Sequence, residues 1–96
     1  MEIEIGDKLP NGATVLDRFW VSREPVGANL PWGLVLALWP QQKGNPPLFA
    51  AWEFSVEDGK LRVYDGDYHF DLRAALGDYD FRVAPRRPTV TITRLD

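Results

Sequence analysis

The chain has no cysteine and only one histidine in its 96 residues. Without thiols there is no disulfide, no thiolate zinc site and no cysteine nucleophile. The single histidine, His69, confines any imidazole acid–base chemistry to one position. Long hydrophobic runs are also missing. The longest, Leu34–Trp39, is far shorter than the about 20 residues that cross a bilayer. The opening Met1-Glu2-Ile3-Glu4-Ile5 has no basic segment followed by an apolar stretch. No secretory leader is therefore expected, and the plain expectation is a cytoplasmic protein. There is no basic excess: the net charge is −3, which argues against non-specific nucleic-acid binding. The loop Gly6–Gly12 lacks the Gly-Lys-Ser/Thr ending of a phosphate loop, which argues against a nucleotide site.

What remains is the composition of an ordinary globule, 45% hydrophobic and 26% charged, of a length that makes residues 1–96 one domain. Four Trp, three Tyr and five Phe are generous for this length. Large rings bury much area per residue, which compensates for a small core.

The best-patterned stretch is Leu48–Tyr79. Ala50, Trp52, Phe54 and Val56 alternate with Ala51, Glu53 and Ser55, which predicts a half-buried strand. Leu61 and Val63 continue the apolar face, with Arg62 and Tyr64 opposite. Between the runs, Asp58-Gly59 supplies the positive φ angles of a tight hairpin turn. Asp65-Gly66-Asp67 reads as a further turn. Asp71 is then a good N-cap for a short helix of roughly two to three turns, whose apolar stripe is Leu72, Ala75, Leu76 and Tyr79. Gly77 weakens this helix.

Elsewhere, Met1–Ile5 reads as a short first strand with Ile3 and Ile5 inward, and Pro10-Asn11-Gly12 as a turn. Ala13–Val21 reads as a strand with Val15, Phe19 and Val21 on one face and Leu16 and Trp20 on the other. Asp17 interrupts it, so the segment carries a bulge or has both faces partly covered. Trp32–Trp39, almost wholly apolar between Pro31 and Pro40, reads as a central strand. Phe81-Arg82-Val83 ends the helix or starts an extended segment, and Thr89–Leu95 alternates as a last strand. The expected fold is α+β: a small, mostly antiparallel sheet of five or six strands, open or curled and barrel-like, with one short helix packed on it.

Two segments carry a resemblance. Gly6-Asp7-Lys8-Leu9-Pro10-Asn11-Gly12-Ala13-Thr14-Val15-Leu16 is one. The other is Tyr64, Gly66, Tyr68 and Phe70 followed by Asp71, Leu72, Ala75 and Leu76. Together they resemble a family of small uncharacterised proteins of bacteriophages and some bacteria, in which an aromatic turn leads into an Asp-Leu-x-x-Ala-Leu helix. Asp65 and Asp67 stand where that family carries aromatic or His residues. The resemblance covers about half the chain and implies a phage-type origin, with no activity to carry over.

No catalytic constellation emerges. His69 is expected to serve as a loop or cap histidine; a small-molecule site beside it is an alternative. Asp65, Asp67, His69 and Asp71 alternate like a calcium loop, but Phe70 stands where Gly is needed and Leu76 where the distal acid belongs. No metal and no cofactor is therefore expected. Glu53, Glu57 and Asp58 read as solvated hairpin charges rather than paired acids in a cleft. Arg82, Arg86, Arg87 and Arg94 could contact phosphates, which makes a nucleic-acid accessory role a second alternative. They are better read as facing the Asp-rich segment. The leading expectation is a non-enzymatic protein-interaction module. Its partner-binding surface would contain Tyr64 and Tyr68 and draw on Trp32 or Trp39, because aromatic rings give contact area at small entropic cost. A homodimer is left open.

Overall fold

The computed structural model describes residues 2–24, 27, 30–40 and 46–86. Four strands, β1 (Thr14–Ser22), β2 (Trp32–Trp39), β3 (Leu48–Glu57) and β4 (Lys60–His69), precede one helix, α1 (Leu72–Val83), and a 3-10 turn, Ala84–Arg86. The strands form one antiparallel sheet in the order β1-β2-β3-β4, so the fold is α+β with the helix packed on the sheet. Among the described residues the sheet is not closed into a barrel.

The apolar β2 occupies an interior position because both of its faces are covered. On one side Val35 and Ala37 join Val15, Ala50, Trp52 and Phe54 in a core that Ile3 and Leu9 of the N-terminal segment complete. On the other, Leu34 and Leu36 pack with Ala51 and the helix residues Ala75, Tyr79 and Val83. The β3–β4 turn is as the sequence predicts: Asp58 and Gly59 have φ of 53° and 74°. Two successive positive φ values match the right-handed twist of the flanking strands.

Among the described residues there are four strands where five or six are expected; Thr89–Leu95, read as the last of them, lies outside the described residues. Other expectations are corrected. Met1–Ile5 gives no strand in its described part, residues 2–5. There Glu4 and Asp7 close a turn, with Asp7 N–H donating to Glu4 C=O at 3.0 Å and Glu4 N–H to the Asp7 carboxylate at 2.8 Å. Ile3 is buried, but Ile5 sits on this turn and is 64% exposed. The next residues pair with the outer edge of β1: Gly6 N–H donates to Val15 C=O and Val15 N–H to Asp7 C=O. The Pro10-Asn11-Gly12 turn is present, closed by Gly12 N–H on Leu9 C=O at 2.8 Å.

The interruption at Asp17 is a bulge. Val15 pairs with Ala37 and Asp17 with Leu36, so Leu16 is extra. The extra residue reverses the parity of the strand as far as Trp20, after which Val21 is a second extra residue. Trp20, rather than Phe19, shares the face of Val15, and Phe19 joins Leu16 on the helix side.

Asp65-Gly66-Asp67 is not a turn between elements. β4 runs through it to His69 with a bulge of its own. Ala51 pairs with Asp67 and Glu53 with Tyr64, leaving Asp65 and Gly66 opposite Trp52 alone. Asp65 takes φ 49°, a left-handed conformation that Asp tolerates. Phe81–Val83 belongs to the helix.

Candidate functional site

Three sets of side chains carry the chemistry of this molecule: an aromatic group at one end of the sheet, a charged network joining α1 to β4, and Trp32 with Arg86.

The aromatic group forms where β2 and β4 end. Ala50 pairs with Tyr68 across β3–β4, which puts Tyr68 on the face of Trp52. Its ring lies 5.7 Å from Trp52, edge-on, and 5.1 Å from Trp39, tilted. Trp52 is 4% exposed and Tyr68 48%. A buried indole therefore holds an exposed phenol ring in one orientation, a geometry in which edge-to-face contact is favourable. Phe70, 82% exposed, follows two residues later, and Leu72 and Leu76 at the start of α1 are also exposed. The sequence pattern assigned the two leucines to the core stripe. The actual buried row is Ala75, Tyr79 and Val83.

A charged network on one flank of the helix accompanies that rotation. His69 Nε2 lies 2.8 Å from Asp78 Oδ2. Arg82 Nε donates to Asp78 Oδ1 at 2.9 Å, its Nη2 to Asp67 Oδ2 at 2.8 Å and its Nη1 to Asp65 C=O at 2.9 Å. These bonds fasten one flank of the helix to β4. Leu76 falls on the other flank, and Leu72 stands in the first turn, past the last residue of β4. Burial pushes the Asp78 carboxyl up. The hydrogen bonds and charges of His69 and Arg82 outweigh it and hold the group below its ordinary 3.8. Burial likewise lowers Arg82, and Asp78 and Asp67 more than restore it. Both carboxylate oxygens of Asp78 have partners here, so Asp78 acts as a clamp between α1 and β4. Asp71 is occupied too, accepting from Ala74 N–H at 2.9 Å as the N-cap of α1. Among the described residues no group of three or more His, Asp or Glu side chains is placed to hold a metal ion.

The sequence-predicted surface residues do not form one patch. Trp39 and Tyr68 meet on the face of Trp52. Tyr64, 41% exposed, pairs with Glu53 on the helix side of the sheet. Trp32 is also on that side, half-buried, with the Arg86 guanidinium 5.4 Å over its ring. Arg82 faces the Asp-rich segment, as expected, whereas Arg86 donates to Arg82 C=O and covers Trp32. Arg87 and Arg94 lie outside the described residues. Glu57 pairs with Arg62 at 3.3 Å on the hairpin, and Glu53 stands four residues away along β3, roughly 13 Å at the rise of a strand.

Phe70 is, with Leu72, Leu76 and Phe81, among the surface groups that sequence reasoning missed. Its signal was local: it precedes the N-cap Asp71, where neither strand nor helix directs a side chain inward. Among the described residues no helix is long and apolar enough to cross a membrane. Searches of protein-family models, of curated proteins and of solved structures gave no match to this chain.

Proposed function

We propose that this chain is a small non-enzymatic protein-interaction module that receives its partner on the aromatic end of the sheet, chiefly through Tyr68 and Trp39 and with Phe70 beside them. The observation that carries this reading is the Tyr68 ring, held by Trp52 and Trp39 yet 48% exposed. A ring fixed before binding loses little freedom on docking, and Tyr and Trp anchors dominate interface energetics. His69, Asp78 and Asp67 take part in the hydrogen bonds that hold α1 to β4, which gives them a structural role. The resemblance of residues 6–16 and 64–79 to small phage proteins makes a host protein the expected partner. Tyr68→Ala tests the proposal when partner capture from a host lysate and urea denaturation are measured together. The expected result is capture lost with the midpoint of unfolding nearly kept. Loss of both together, or undiminished capture, assigns Tyr68 to the fold alone and overturns the reading.

A further inference from the structure

Four consecutive residues of β4, Leu61, Arg62, Val63 and Tyr64, line one groove of about 640 Å³ with Pro10 and Asn11. Successive strand side chains point to opposite faces, so four in a row border a single space only along the outer edge of the strand. A second groove, of about 500 Å³, is lined by Ile3, Lys8, Leu9, Lys60 and others, and shares Pro10 and Leu61 with the first. The two form one seam. Its walls are the last strand of the sheet and the N-terminal turn attached to the first strand.

Among the described residues the backbone of that edge has no strand partner. Glu57 and Lys60 flank a two-residue turn, so they exchange both backbone hydrogen bonds, and the bonding alternates from there. Arg62 and Tyr64 therefore bond to β3, while the N–H and C=O of Leu61 and Val63 point away from the sheet. No described residue pairs with this edge. The Asp65–Gly66 bulge ends the straight edge after Tyr64. A bulge and edge charges are the devices that keep an edge from pairing without limit. Here they leave a stretch of only Lys60–Tyr64.

The charges choose the occupant. Lys60 has no ion pair among the described residues. Lys8 donates to the Thr14 hydroxyl at 2.8 Å rather than to a carboxylate, and Arg62 has only its exposed pair with Glu57. Of the seam's acids, Glu2 is paired with Arg23 at 2.8 Å, while Asp7 accepts from Glu4 N–H and keeps its charge, so Lys8 and Lys60 still leave the seam net positive. We infer that the seam binds an extended segment of a partner protein by strand addition to β4, and that this segment alternates apolar and acidic side chains. Its backbone bonds to Leu61 and Val63. Its apolar side chains enter the groove beside Leu61, Val63 and Pro10. Its carboxylates lie along Lys60 and Arg62. Main-chain bonds supply affinity in such additions, and alternate side chains supply selection.

The test is an amide-resolved NMR titration of the full chain with the blocked pentapeptide Val-Glu-Val-Glu-Val. Saturable shifts and slowed hydrogen exchange are expected at Leu61 and Val63. Binding should be on the order of tenfold tighter than for Val-Lys-Val-Lys-Val, the scale of two exposed ion pairs exchanged for two repulsions. Lys60→Glu with Arg62→Glu should reverse that preference. Val63→Pro should abolish binding, because it removes an outward donor at a position where an edge tolerates proline. If that variant does not fold, the charge reversal decides. Equal response to both peptides, shifts confined to the Trp39–Tyr68 end, or a seam filled by a second copy of the chain at rising concentration would each overturn the inference. Tyr68→Ala should leave this titration unchanged, so failure here is separable from failure of the aromatic docking surface.

Discussion

Trp52 and Gly66 show how much a single contact decides. The bulge leaves Gly66 opposite Trp52, and a Cβ at Gly66 would fall within the indole ring. Gly66→Ala should therefore cost about 1–3 kcal/mol, as overpacking does, and Trp52→Ala about 3–5 kcal/mol by opening a cavity. The double variant should lose less than the sum of the two, since removing the indole relieves the closest approach and leaves only that to Ala51 C=O at 2.7 Å. A double-mutant cycle from urea curves measures this, and simple additivity would refute the contact. Asp78 gives a second test. Its carboxyl is held below the ordinary value in the folded protein. The unfolded chain thus binds the proton first as pH falls, so the stabilisation is complete above 3.8 and is lost as pH drops through the folded value. Asp78→Asn should cost about 1–3 kcal/mol at neutral pH, with the gap to the unmodified protein closing below pH 3.8. A gap that stays constant over pH 3–7, measured by denaturation at each pH, would dismiss the clamp.

For whole elements, the helix separates what periodicity can see from what packing chooses. Leu72, Ala75, Leu76 and Tyr79 satisfy a helical stripe, and Asp71 caps the helix as its chemistry requires. Periodicity alone cannot say which part of a broad apolar arc meets the sheet. The ties from Asp78 and Arg82 to β4 accompany that choice, and Val83, one turn further on, completes the buried row. Tyr79→Ala should cost about 3–5 kcal/mol, while Leu76→Ala, at a side 42% exposed, should cost under about 1 kcal/mol. Thermal unfolding of both variants distinguishes the rows, and equal losses would restore the stripe read from sequence. The β3–β4 hairpin behaved differently because its determinants are local. Asp58-Gly59 carries the turn within two residues, and strict alternation on both arms leaves one register.

For the whole molecule, the N-terminal segment decides whether the face of Trp52 is a core or a surface. Ile3 and Leu9 are 2% and 3% exposed in that cluster, although neither belongs to a strand of the sheet. Leu9→Ala should cost about 2–5 kcal/mol, accompanied by a change in tryptophan emission as water reaches Trp20 and Trp52. An unchanged unfolding midpoint would show that the segment only rests on the sheet. The same segment places Pro10 and Asn11 along β4, so the proposed seam exists only once the arm is docked.

Composition and alternation were enough to identify an antiparallel α+β domain, its apolar inner strand, its hairpin and its capped helix, because each rests on residues within a few positions of one another. The same residues showed no catalytic constellation. Tertiary structure decided the rest. The strand order, the irregularities at Leu16, at Val21 and at Asp65–Gly66, and the docking of Ile3 and Leu9 all depend on partners distant in sequence. So does the placing of Tyr68 with Trp39 and of Tyr64 along the seam. An inserted residue reverses which face every later side chain occupies, and only the opposing strand reveals that the insertion is there.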